Sequence, residues 1–146
     1  MKKIVLIAVF LLVLLLFSGC KAKEQNNMNK TNANTVTVIN EVQDANIWIL
    51  PQTQENLKTT LWGTPTLSDT KKLTSRQAPL CEPGDDGLYI FRMIDVEKFY
   101  YSANGIKLEK GYTVRIIGND LNNIKLEVSD EKGELKETYD VFCARL

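Results

Sequence analysis

The spacing of apolar positions changes twice along the chain. Behind Lys2 and Lys3 runs an unbroken apolar stretch, Ile4 to Phe17. Its 14 residues fall short of the ~20 that a ~30 Å hydrocarbon core requires. They match the ~7–15 residues of a signal-peptide hydrophobic region. Residues 21–35 are then almost wholly polar, with Met28 and two alanines among Lys, Asn, Gln, Glu and Thr. Such a stretch cannot bury enough apolar surface to offset the entropy of ordering its backbone, which predicts a flexible tether spanning ~20 Å. From Val36 onward the apolar period becomes two, the mark of half-buried strands.

Thr35 to Asn40 places Val36 and Val38 on one face of a first strand. Asn46 to Leu50 predicts a second, with Trp48 in the core and Pro51 ending the ladder. Between 51 and 72, Leu57 and Leu61 are spaced for one helical turn, while Gly63 and Pro65 predict a loop with a short strand. Leu73 to Ala78 reads as a weak strand, and the segment from Cys81 to Gly87 is dense in turn residues. Leu88 to Ile94 (LYIFRMI) is the most apolar strand and therefore central, with Glu97 to Ser102 as its hairpin partner. Asn104-Gly105 predicts a turn before a short edge at 106–108. Tyr112 to Ile117 and Ile124 to Val128 alternate, and one last strand runs from Glu134 to Cys143. Seven to nine short antiparallel strands predict an all-β fold, a single β-sandwich or partly closed barrel, over residues 36–146.

Composition narrows the chemistry. The 146 residues hold 18 basic and 18 acidic side chains and no His. Zero net charge offers no field for phosphate backbones, so no nucleic-acid partner is expected. Without imidazole there is no Ser-His-Asp or Cys-His nucleophile and no His-ligated metal.

At the end of the apolar run, Phe17-Ser18-Gly19-Cys20 resembles the lipobox of bacterial lipoproteins. The resemblance implies cleavage before Cys20 and acylation of its sulfur, with palmitate among the acyl groups. It divides the chain into a signal peptide (1–19), a lipidated Cys with its tether (20–35) and the β-domain (36–146). The protein would then sit on the extracytoplasmic face of a cell membrane or outer membrane. Two or three acyl chains hold a protein stably, each buried CH₂ contributing ~0.8 kcal/mol. With Cys20 assigned to lipid, Cys81 and Cys143 remain as an even pair in an oxidising compartment, and a disulfide between them is expected.

The span from Val36 to Leu108 resembles small exported bacterial β-domains of uncharacterised function. The matching residues are Val38, Ile39 and Asn40; Ile47, Ile49 and Pro51; Trp62 and Gly63; Arg92 and Asp95; and Tyr100 or Tyr101. This likeness implies a sandwich and no particular activity.

Three constellations bear on function. Asp85 and Asp86, with Asp95, could offer carboxylates to calcium, but they lack EF-hand spacing and read as a solvated turn, so no metal or other cofactor is expected. Paired acids alone do not make a glycosidase without a cleft. Aromatics cluster between Trp48 and Tyr101. Trp62, beside Gly63, and one outward ring of Phe99, Tyr100 or Tyr101 form the candidate partner surface, with Trp62 as an end plug of the sandwich the competing reading. The sequence thus predicts a lipid-anchored envelope protein with a non-catalytic binding or structural module, partnered by the membrane through Cys20 and by an envelope protein or glycan. The alternative is a small enzyme or inhibitor acting on envelope polymers through surface carboxylates or the Trp62 loop.

Overall fold

A computed structural model describes residues 34–60, 62–119 and 123–145. The signal-peptide and Cys20 readings, and the tether reading up to residue 33, lie outside these residues. The described residues form β1 (Thr35–Asn40), β2 (Ala45–Pro51), a short helix α1 (Gln54–Lys58), β3 (Leu67–Thr70), β4 (Thr74–Pro79), β5 (Tyr89–Asp95), β6 (Phe99–Ile106), β7 (Thr113–Ile117), β8 (Lys125–Ser129), β9 (Leu135–Asp140) and β10 (Phe142–Arg145). They assemble into two five-stranded sheets, in the orders β4-β1-β7-β8-β9 and β10-β6-β5-β2-β3. This is the expected all-β sandwich. One departure from the expected antiparallel pairing is β1, which runs parallel to β7 with Val38 opposite Val114.

The period of two explains the core. Val36, Val38, Val114, Ile116, Leu126 and Val128 point inward from the first sheet, and Ile47, Ile49, Phe91, Met93 and Tyr101 meet them from the second. Full burial of such side chains stabilises the fold by roughly 1.5–3 kcal/mol each before entropy is counted. The second sheet is covered on its outer face as well. Ile90 and Arg92, on the opposite face of β5 from Phe91, are also buried. That double burial is why β5 reads as a continuous apolar run and not as an alternating one. The cover comes from the β2–β3 connection. Helix α1 starts it, capped by Thr53 Oγ1, which accepts from the Asn56 N–H at 3.1 Å. Trp48 is buried as expected, but under this cover and not between the sheets.

The structure corrects three local expectations. Asn104-Gly105 does not turn the chain. Tyr89 faces Ile106 and Phe91 faces Ala103, so β6 carries one extra residue there and continues through a bulge. Gly105 takes the left-handed φ of 71° that the bulge requires, and its N–H donates to Gln52 Oε1 at 2.7 Å. The single last strand is two: β9 pairs with β8 in one sheet, the chain bends at Val141, and β10 pairs with β6 in the other. Such a bend is how a strand changes sheets at a sandwich corner.

The third correction concerns the cysteines: Cys81 and Cys143 are both free thiols. Tyr89 Oη donates to the Cys81 carbonyl at 2.8 Å, which keeps Cys81 at the start of β5. Cys143 pairs with Tyr101, and Tyr101 lies opposite Met93, four residues further along β5. At ~3.3 Å per residue the two levels differ by ~13 Å, beyond the ~7 Å Cα separation a disulfide tolerates.

Candidate functional site

Because successive strands reverse direction, four connections emerge together at one end of the sandwich: 41–44 after β1, 71–73 after β3, 96–98 after β5 and the β7–β8 connection. The connections after β2, β4, β6 and β8 lie at the other end, where β1 begins.

Two buried polar side chains fasten the first end. Asn40 Nδ2 donates to the Gln43 carbonyl at 2.6 Å and to the Thr70 carbonyl at 3.3 Å, and its Oδ1 accepts from the Val42 N–H at 3.2 Å. One amide thus holds two connections. Asp95 closes the β5–β6 turn by accepting from the Phe99 N–H at 2.9 Å. Its other oxygen accepts from Tyr101 Oη at 2.8 Å and from Gln43 Nε2. Burial raises the Tyr101 phenol far above its ordinary value, so the hydroxyl stays a donor to this carboxylate. Burial also raises the Cys143 thiol nearby, which makes it a poor nucleophile.

Over this framework lies a depression of about 340 Å³, lined by Val42, Gln43, Lys72, Glu97, Gly118, Asn119 and Ile124, so that all four connections contribute. Gly118 and Asn119 also border a second depression of about 630 Å³, which runs over Glu41, Leu73, Arg115, Lys125 and Glu127. In that one the acids are engaged. Arg115 Nη2 contacts Glu41 Oε1 at 2.6 Å and Nη1 contacts Glu127 Oε2 at 3.2 Å. The hydrogen bond that Arg115 donates to Glu41 raises the Arg115 pKa. Two carboxylates shared by one guanidinium are poorly placed to exchange protons with a substrate. The loop end gathers polar side chains from several connections on the sandwich scaffold.

The aromatic residues singled out in the sequence divide. Trp62 stacks on Tyr100 with ring centroids 5.2 Å apart and meets the edge of Trp48 at 5.5 Å. Both indole N–H groups are used internally: Trp62 donates to the Thr59 carbonyl at 2.9 Å, and Trp48 to the Gly63 carbonyl at 3.2 Å. Tyr101 is wholly buried and is no part of a surface. Phe99 is half-buried against the core, with the Arg145 guanidinium 5.9 Å from its ring. Trp62 and Tyr100 are therefore brought together, and the other two are not.

Arg92 lies under the same cover, only 4% exposed. Its Nη1 donates to the Phe91 and Ala103 carbonyls and to Asn104 Oδ1, at 2.8, 3.2 and 2.8 Å. These acceptors flank the β6 bulge, so the guanidinium fills hydrogen bonds that the irregular ladder leaves open. The calcium candidates are separated, since Asp85 and Asp86 precede β5 while Asp95 ends it and is satisfied by three donors. Among the described residues no three potential metal ligands cluster.

Gln43, Lys72, Glu97 and Asn119 carried no motif in the sequence. The available signal was parity: connections following every second strand must share an end.

The chain matches no protein-family profile, no curated protein and no solved structure.

Proposed function

We propose that this protein is a lipid-anchored component of the cell envelope whose β-sandwich is a non-catalytic binding module with its binding site at the loop end. The observation that carries the reading is the depression to which four separate connections each contribute a residue. Convergent polar side chains from several loops, braced from below by Asn40 and Asp95, have the form of a recognition site. Thr35, where β1 starts, lies at the opposite end of the sandwich from this face. The enzyme alternative called for a cleft joining Trp62 to two carboxylates. Trp62 lines neither of the two depressions at the loop end, and Glu41 and Glu127 are tied to Arg115.

The test compares envelope proteins and glycans retained by the full chain with those retained by a Lys72→Glu, Asn119→Asp double variant. Both side chains are exposed, so melting temperature should not change. Components held by the wild type should be lost from the variant. Equal retention by both, or none by either, overturns the reading.

A further inference from the structure

Among the groups lining the smaller depression, the amide of Gln43 is fixed in orientation. A carboxylate only accepts hydrogen bonds, so the group that Gln43 presents to Asp95 must be its NH₂. The same nitrogen donates to Tyr101 Oη at 2.8 Å. Both amide protons are thereby used on buried partners, which leaves Oε1 as the acceptor of a residue that lines the depression. Glu97 adds a carboxylate from another connection, so the acceptors come from two loops.

Donors come from the other two. Lys72 contributes an ammonium and Asn119 an amide. The ammonium of the neighbouring Lys71 is engaged with Asp44 Oδ2 at 3.0 Å, whereas the side chains of Lys72 and Glu97 form no ion pair with each other or with any other described residue. One depression thus holds an acceptor pair and a donor pair, of opposite charge and not neutralised by contact. Val42 and Ile124 give the lining its apolar part.

Resting on the binding-module reading, we propose that this depression takes the zwitterionic head of an α-amino acid with an apolar side chain. Its ammonium is held by Glu97 and Gln43 Oε1, its carboxylate by Lys72 and Asn119, and its side chain lies against Val42 and Ile124. A ligand bearing only one charge leaves either Glu97 or Lys72 desolvated without a partner, which disfavours it. Volume is compatible, since ligand sites begin near ~300 Å³.

The experiment is calorimetric titration of the full chain in detergent with L-leucine, N-acetyl-L-leucine and L-leucinamide. L-leucine should bind, and each derivative, lacking one charge, should bind at least ~10-fold more weakly. Glu97→Gln should abolish the discrimination against the acetylated compound, and Lys72→Met the discrimination against the amide. Both residues are exposed, so folding should survive either change. Absence of L-leucine binding to the wild type overturns the proposal, as does discrimination unchanged in both variants. If leucine fails while the Lys72→Glu, Asn119→Asp variant still loses its envelope component, only the ligand class falls. If both experiments are negative, the module reading falls too.

Discussion

Trp62 holds the β2–β3 connection on the second sheet through one stacked ring and one edge contact, and its indole N–H donates within the connection to the Thr59 carbonyl. Its role is therefore tested first by stability. Trp62→Ala removes these contacts from a half-buried site and should cost about 3 kcal/mol, near the lower end for large aromatic truncations. Urea denaturation of the two proteins gives the number, and a change under 1 kcal/mol would return Trp62 to the candidate ligand contacts. Tyr101 predicts an alkaline limit. Burial raises its phenol above the ordinary value near 10, and Tyr139 is pushed up to about 12, chiefly by burial. The folded chain then keeps protons that the unfolded chain releases above pH ~10, so stability should fall as pH rises beyond that point. For Tyr101 the slope approaches ~1.4 kcal/mol per pH unit. Tyr101→Phe should flatten it, while costing ~1 kcal/mol at neutral pH by leaving Asp95 one donor short. Equal slopes in denaturation series from pH 9 to 11 would refute this assignment.

At the scale of elements, legibility followed periodicity. β1, β7 and β8 alternate cleanly because one face of their sheet is wet, and their positions were readable to within a residue or two. β5 was readable as central from its length of apolar sequence. What the sequence hid was any feature set by a partner strand. Asn104-Gly105 has the local chemistry of a turn, yet pairing of β6 with β5 on both sides of it carries the strand through, and Arg92 satisfies the acceptors beside the bulge. The bend at Val141 likewise depends on β6 having a free edge. The site was hidden for the same reason: Gln43 gains its fixed orientation from Asp95, 52 residues away. Gly84 shows such a long-range constraint in testable form. Its φ of −84° suits any residue, but a Cβ there would overlap the Gln52 backbone, which bonds to Asp85 and Leu88. Gly84→Ala should therefore destabilise by about 3 kcal/mol or more through overpacking. Glu82→Ala, on the exposed side of the same loop, should stay within ~0.5 kcal/mol. Matching midpoints for the two variants in urea would mean the close approach has no energetic weight.

For the molecule as a whole, the proposed reading has the sandwich build the binding site and a lipid at the amino terminus set where it acts. The parallel pairing of β1 with β7 joins Thr37 to Thr113, so the sheet that braces the loop end forms only after a long chain closure. A site made this way cannot be detached from the fold, whereas the proposed anchor is a separate feature of the chain. The proposal of an anchor rests on Phe17-Ser18-Gly19-Cys20, in which small residues precede a cysteine immediately after an apolar run. If Cys20 carries the lipid, its sulfur is the point of attachment, and no residue of the preceding apolar run can replace it. Cys20→Ala should accumulate as an uncleaved precursor that takes up no radiolabelled palmitate, while the wild type is labelled and shortened by 19 residues. Cys81→Ala, which alters a free thiol in the domain, should label as the wild type does. Equal labelling of the Cys20→Ala variant and the wild type would remove the lipid anchor, and with it the reason for confining the loop end to the envelope.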